Sequence, residues 1–239
     1  MPVLKRIVFF WVGEDISIPA LLVRSIRRHL DPGIEVVQIS DRNTPQVPGT
    51  SRLKAMNLTP SIMVARLEAY ASLEIDEPTL YLDADMLVMR NFDLPELQPN
   101  EVGVTLRLEQ DDRLIHEQTS EWQNFPEFRG KKLSEVMPYI YAFVYARSEV
   151  LFVRQLVALR KAARRFHAWY GDQVSLKKEL EGGRFTVRNF DGSLYNRTVA
   201  TRMEFHELAA SVNAPCIVHF KGPSAKETMI EVGASLRPA

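Results

Sequence analysis

The sequence predicts an α/β domain built on a mixed, mostly parallel β-sheet flanked by helices, and three observations predict it. Apolar runs of strand length alternate along the chain with segments of helical period, the pattern of strand-helix-strand units. The connections between the first strands are long enough for the right-handed crossovers that parallel strands require. Of 239 residues, 46% are hydrophobic and 25% charged, enough apolar matter for a sizeable core and too much for a disordered chain. No internal repeat is visible, so one domain is expected over 1–239, with an N-terminal half at 1–107 and a C-terminal half at 108–239.

The elements follow in order. Arg6–Val12 is a continuous apolar strand ending in Gly13, and Ile18–Leu30 carries Leu21, Leu22, Ser25, Ile26 and His29 at helical spacing. Asp31-Pro32-Gly33 stops that helix, Ile34–Ile39 forms a second strand, and Asp41–Gly49 is a Pro-rich loop. Thr59-Pro60-Ser61 has the form of an N-cap with proline at the first helical position, opening a helix through Ile62, Ala65, Leu67 and Leu73. Thr79–Leu82 is a third strand that runs directly into Asp83. Leu108–Met137 is polar and too long for an ordinary connector, which predicts a lid or an excursion of the C-terminal half. Tyr139–Tyr145 returns to strand, Glu149–Phe166 is an amphipathic helix, a further helix begins at Asp172–Leu180, and Phe185–Phe190 and Ala214–Phe220 are the last strands.

Composition bounds the function. The 30 Lys and Arg residues balance the 30 Asp and Glu, so no bulk charge is present to hold a nucleic acid or an anionic membrane. The 11 Gly and 14 Pro residues show no period, which excludes collagen-like chains. The lone Cys216, between Ala214-Pro215 and Ile217-Val218, reads as a core thiol and makes no internal disulfide, which fits a reducing compartment. The apolar run near the N-terminus ends at Gly13 without a small-residue cleavage site, and no stretch of about 18 apolar residues occurs. A soluble cytoplasmic protein is expected.

The informative segment is Tyr81-Leu82-Asp83-Ala84-Asp85. In an extended chain residues i and i+2 point the same way, so Asp83 and Asp85 present two carboxylates at the carboxyl end of a strand, where such sheets bind ligands. Two like charges at that spacing call for a proton or a hard divalent cation, the alternative being a solvated acidic turn. His219 and Lys221 stand on the outgoing end of another buried strand. The imidazole is a candidate third ligand that tilts the choice from Mg²⁺ toward Mn²⁺, and Lys221 or Lys226 is a candidate partner for a diphosphate.

Thr59–Leu97, with ARLEAYASL and then TLYLDADMLVMRNFDLPEL, resembles the central block of family 8 glycosyltransferases, the retaining family that includes glycogenin and the bacterial lipopolysaccharide galactosyl- and glucosyltransferases. Tyr170-Gly171-Asp172-Gln173 resembles the family's Asp-Gln segment, Leu194-Tyr195-Asn196 its aromatic-Asn turn, and His219-Phe220-Lys221-Gly222-Pro223 its terminal His-x-x-Gly segment. The fold this resemblance implies is the GT-A type nucleotide-diphospho-sugar transferase fold, with 1–107 as the nucleotide-binding half and 108–239 as the acceptor half and terminal metal-ligand segment. It implies Asp83, Asp85 and His219 as ligands of Mn²⁺ or Mg²⁺. Arg66, Lys221, Gly222 and Lys226 would face the donor diphosphate or sugar, and Val12 and Gly13 would line the base pocket. Asp172 would hydrogen-bond the donor sugar, and Gln173 would lie near the anomeric carbon. The implied reaction is transfer of a sugar from a nucleotide-diphospho-sugar, a UDP-sugar being favoured, to an acceptor hydroxyl with retention.

The chain also departs from the family. Tyr139-Ile140-Tyr141-Ala142-Phe143 replaces an Asn-Ser-Gly-like stretch, Lys226-Glu227-Thr228 replaces the closing Lys-Pro-Trp, and Val174 and Lys177 stand where the family has Asp and Asn. These departures leave room for a nucleotide-sugar-binding protein without catalysis. A haloacid-dehalogenase-like phosphatase also uses Asp-x-Asp with Mg²⁺. There the motif follows the first strand and is completed by Thr or Val, whereas Leu87 holds that place here. Arg154, Arg160, Lys161, Arg164 and Arg165 give the helix at 149–166 a basic face, read as solvated or as a contact for an anionic acceptor or a membrane surface. Trp11 is expected in the core, with Trp122 and Trp169 as candidate stacking surfaces.

Overall fold

The computed structural model describes residues 4–115, 122–168 and 170–234. In chain order the elements are β1 (Arg6–Phe10), α1 (Ser17–His29), β2 (Glu35–Asp41), β3 (Arg52–Met56), α2 (Ile62–Ala71), β4 (Thr79–Leu82), β5 (Met86–Val88) and β6 (Glu101–Leu106). After β6 come α3 (Leu133–Val136), β7 (Tyr139–Ala146), α4 (Val150–Lys161), α5 (Arg165–Ala168), α6 (Gly171–Glu181) and β8 (Thr186–Phe190). The chain continues through α7 (Gly192–Tyr195), β9 (Arg197–Thr198), α8 (Arg202–Ala210), β10 (Ile217–His219) and α9 (Pro223–Gly233).

Seven strands form one sheet in the order β3-β2-β1-β4-β7-β6-β8. All pairings are parallel except those of β7, which runs antiparallel to both β4 and β6. β1 is apolar from Ile7 to Phe10 because it is central: Ile7 and Phe9 pack toward α1, and Val8 packs toward α2 and α4 on the other face. This three-layer arrangement is the predicted α/β architecture.

A second sheet of three strands, β5-β10-β9, decides where the site lies, and of its strands only β10 falls within a predicted one, Ala214–Phe220. β4 leaves the large sheet after Leu82, and the chain turns through Asp83-Ala84-Asp85 into β5, which pairs antiparallel with β10. The Asp-x-Asp segment is therefore the bend between two sheets and not the extended strand end that an i, i+2 alternation requires. α1 and α9 close the small sheet through Leu21, Met229 and Val232.

Other differences have local causes. β3 alternates charge and apolar side chains (Arg52, Lys54) on a sheet edge, so no apolar run announces it. α2 begins at Ile62 with Ser61 at the cap, leaving Pro60 outside, and the Ser61 hydroxyl is turned away to donate to the His167 carbonyl. The helix expected over 149–166 breaks at Ala162, whose backbone is extended, and this turns Phe166 into a cluster with Trp122, Phe125 and Phe128. That cluster anchors the excursion at 108–137, whose residues 116–121 lie outside the described ones, as does Trp169. The basic face of α4 and α5 is largely neutralised, since Arg154 pairs with Glu179 at 2.6 Å, Arg160 with Glu68 at 2.7 Å and Arg165 with Glu127 at 2.7 Å. Cys216 is a buried core thiol. Among the described residues no helix is long and apolar enough to cross a membrane.

Candidate active site

The site lies at the carboxyl ends of β1 and β4, where the two sheets meet. Two openings share its floor. A cavity of about 590 Å³ is lined by Tyr141, Tyr170, Gln173 and Lys221 among others, and a pocket of about 290 Å³ by Phe10, Trp11, Val12 and Ile62. Met63, Arg66, Asp83, Asp85 and Lys226 line both. Val12 thus stands where a base pocket was expected. Gly13 does not line either opening: it adopts φ +141° and donates its N–H to Thr44 Oγ1 at 2.9 Å, so it shapes the loop behind Val12.

Asp83, Asp85 and His219 each offer a ligand atom within 4.8 Å of the others, among the described residues. Pairing of β5 with β10 creates this closeness: His219 lies opposite Met86, and Phe220 N–H donates to the Asp85 carbonyl at 2.9 Å. The carboxylates are meanwhile engaged by side chains of the protein. Asp85 faces His219 Nε2 at 3.3 Å and Lys226 Nζ at 3.2 Å. Burial acts to raise the Asp85 pKa, but the neighbouring His219 and Lys226 outweigh it and bring it down to about 2. Asp83 accepts from Arg66 Nη1 at 2.9 Å.

Arg66 is the hub of the site. It bridges Asp83 and the almost fully buried Asp172, and its guanidinium lies 4.5 Å over the Tyr141 ring. Burial acts to lower its pKa, and Asp83 leads the groups that raise it above the usual arginine value. The departure at 139–143 therefore has a structural reading: Tyr141 supplies an aromatic face for Arg66 and hydrogen-bonds Gln155 at 3.0 Å.

Asp172 and Gln173 open α6, preceded by Tyr170 in the left-handed region at φ +62°. Asp172 Oδ1 accepts from the Gln173 N–H at 2.8 Å, and Gln173 Oε1 accepts from Arg107 Nη2 at 3.3 Å. Gly222, at φ +91° before α9, and Lys221 line the large cavity. The predicted residues thus converge, apart from Gly13. Two participants were missed. Asn196, noted only as part of a turn, has its Oδ1 3.1 Å from His219 Nδ1. Arg107 belongs to no motif, and only its place just beyond the carboxyl end of a strand signals it.

The donor set fits a divalent cation. Two carboxylates and an imidazole within 4.8 Å of one another are hard oxygens plus one borderline nitrogen, which suits Mn²⁺ and admits Mg²⁺. Asn196 holds the second nitrogen of the imidazole, as metal-binding histidines require.

No protein-family model matches the chain, and no curated protein matches it. Solved structures do. The WbbM bifunctional glycosyltransferase in its apo form superposes with a TM-score of 0.61 at 14% identity over 98% of this chain, which spans 50% of that chain. The galactosyltransferase LgtC, in complex with donor and acceptor sugar analogues, superposes with a TM-score of 0.59 at 15% identity over 98% of this chain and 97% of that one. At such identities the likeness is one of fold, and it shows that this chain has the GT-A type fold of glycosyltransferases.

Proposed function

We propose that the protein is a metal-dependent, retaining glycosyltransferase of the family 8 type that moves a sugar from a nucleotide-diphospho-sugar, preferably a UDP-sugar, to an acceptor hydroxyl. The observation that carries this reading is the meeting of Asp83, Asp85 and His219 on the floor shared by a smaller pocket and a larger cavity. A nucleoside fits the first and a sugar with its acceptor fits the second. In this reading 1–107 supplies the nucleoside side, and 108–239 supplies the acceptor side together with His219.

A nucleotide diphosphate leaves only when its developing charge is neutralised, and Mn²⁺ or Mg²⁺ held by Asp83, Asp85 and His219 supplies that neutralisation when bound. The chain's own residues do the rest. Lys226 and Lys221 add positive charge at the diphosphate, and Gly222 opens the backbone beside it. Arg66 locks Asp83 and Asp172 in fixed positions, so that neither has to reorganise as charge moves. Asp172, which lines the large cavity, accepts a hydrogen bond from a donor-sugar hydroxyl in addition to those from Arg66 and the Gln173 N–H. The Gln173 amide, braced by Arg107, faces the anomeric carbon on the side where positive charge develops. The acceptor hydroxyl attacks from the leaving-group face, and a phosphate oxygen takes its proton.

The test is binding and then turnover. UDP-, GDP- and ADP-sugars with and without Mn²⁺ are screened by thermal shift, since a ligand of the native state raises the melting point. A Mn²⁺-dependent shift with one donor, lost in Asp83→Asn and Asp85→Asn together with sugar transfer, supports the proposal. Full transfer by either variant in the presence of chelator refutes it. Mn²⁺-dependent binding without transfer or donor hydrolysis makes the chain a binding protein. The phosphatase alternative gains nothing from the fold, because Asp83 follows β4 and not the first strand.

A further inference from the structure

Arg107 stands out among the cations of the large cavity. It is 9% exposed, and its hydrogen bonds go to neutral groups: Nε donates to the Met137 carbonyl at 3.2 Å and Nη2 to Gln173 Oε1 at 3.3 Å. No carboxylate of the described residues forms an ion pair with it. Arg66, by contrast, is bracketed by Asp83 and Asp172, and Lys226 by Asp85. The acids nearest Arg107 in sequence are occupied elsewhere: Asp111 accepts from Thr198 at 3.2 Å, and Asp112 from Ser134 at 2.7 Å.

A desolvated guanidinium whose neighbouring carboxylates, Asp111 and Asp112, act on it without forming an ion pair is costly to fold, and an anionic ligand at its fork offsets that cost. Burial is the largest influence on the Arg107 pKa and lowers it, outweighing the opposing charges of Asp111 and Asp112, while Arg113, which lines the same cavity, adds to the lowering. Arg107 lines the large cavity and not the smaller pocket, so an anion that meets it sits in the large cavity. Trp122 and Tyr170, stacked on one another at 4.2 Å, also line this cavity.

We propose that the large cavity receives an acidic saccharide, bearing a carboxylate or a phosphate, as the acceptor, its anionic group seated on the fork of Arg107 beside Gln173. The inference rests on the transfer reading above and deepens it by naming the acceptor class. A guanidinium fork pairs bidentately with either anion, and binding the acid there places a neighbouring hydroxyl next to the Gln173 amide. An acidic sugar on the donor itself would present the same chemistry, and the experiment separates the two.

Protein with Mn²⁺ and UDP is titrated calorimetrically with methyl glucuronide and glucose 6-phosphate against methyl glucoside; in a second arm UDP-glucuronic acid is compared with UDP-glucose. The expected result is at least about tenfold tighter binding of one acidic saccharide over the neutral one, no acid preference between the UDP-sugars, and loss of the preference in Arg107→Gln with partial retention in Arg107→Lys. A preference confined to the UDP-sugars overturns the acceptor assignment. No preference in either arm, or one that survives in Arg107→Gln, overturns the role of Arg107. Should Arg107→Gln fail to fold, the two wild-type arms decide. UDP binding with Mn²⁺, measured first in the same titrations, reports on the transfer reading separately.

Discussion

Asn196 holds His219 by its Nδ1, with amide oxygen and ring nitrogen 3.1 Å apart, while the Asn196 amide nitrogen donates to Thr105 Oγ1 at 3.1 Å. The Thr105 contact orients the amide so that its oxygen meets the ring. When the ring proton sits on Nδ1 and donates to that oxygen, the Nε2 lone pair is free for a metal ion beside Asp85, whose Oδ1 lies 3.3 Å from Nε2. Partners of this kind contribute roughly 10- to 100-fold to metal affinity. Asn196→Ala is expected to weaken Mn²⁺ binding by about that factor while nucleotide binding without metal is unchanged. Calorimetric Mn²⁺ titration of both proteins checks it, and equal affinities would mean that His219 is no ligand.

Lys226 competes for the same carboxylate. Its ammonium lies 3.2 Å from Asp85 Oδ2, whereas the imidazole meets Oδ1, and its side chain is 39% exposed. A cation entering the site must displace it or share the oxygen. Because the pair is partly solvated, the competition is worth only a few-fold. Lys226→Ala is therefore expected to bind Mn²⁺ alone slightly more tightly and the Mn²⁺-nucleotide complex less tightly, since no lysine then meets the diphosphate from this position. The two titrations moving in the same direction would contradict this double role.

The legibility of these features in the sequence differs by residue, for physical reasons. β1 and β4 are readable because strands buried on both faces are largely apolar, and Asp83 stands out where such a run stops. The closeness of His219 to the two aspartates rests on a pairing across about 130 residues that no local pattern encodes; the place of His219 at a strand end makes it a candidate ligand, and the family resemblance adds to that. β5 and β9 are three and two residues long, too short for a period, so although the segment of β10 reads as a strand, its partners in the small sheet and the bend that creates the site carry no pattern. Arg107 has only its place just beyond the end of β6 to signal it, because a buried cation announces itself mainly through what surrounds it.

Glu101 and Arg188 join β6 to the edge strand β8 through a bidentate pair, with contacts of 2.6 and 3.1 Å. The hydrogen bonds from Arg188 hold the Glu101 pKa below the ordinary 4.5, against the smaller opposing effect of burial. A carboxylate with a depressed folded pKa contributes its stability in full above the unfolded value and loses it as pH falls through the folded one. Glu101→Gln is thus expected to cost about 1 kcal/mol at pH 7 and progressively less below pH 4.5. Urea melts at pH 7 and pH 3 measure the difference, and a constant penalty at both would show that the loss is one of packing.

Gly171 lets α6 begin against α5. A Cβ there would fall inside the contact distance of the Phe166 carbonyl oxygen and would also press on Leu159 Cδ1. The obstacle on one side is backbone, which cannot swing away as a side-chain tip does. Gly171→Ala must therefore push the first turn of α6 outward, carrying Asp172 off Arg66 and Gln173 off Arg107. The expected loss of stability is about 1–3 kcal/mol, with donor turnover falling far more steeply than Mn²⁺ affinity, because Asp83, Asp85 and His219 stand on other elements. Chemical denaturation, Mn²⁺ titration and turnover on the one variant separate these effects. A metal affinity that collapses along with turnover would show that the metal ligands depend on α6, and the separation of metal ligands from sugar contacts would then fail.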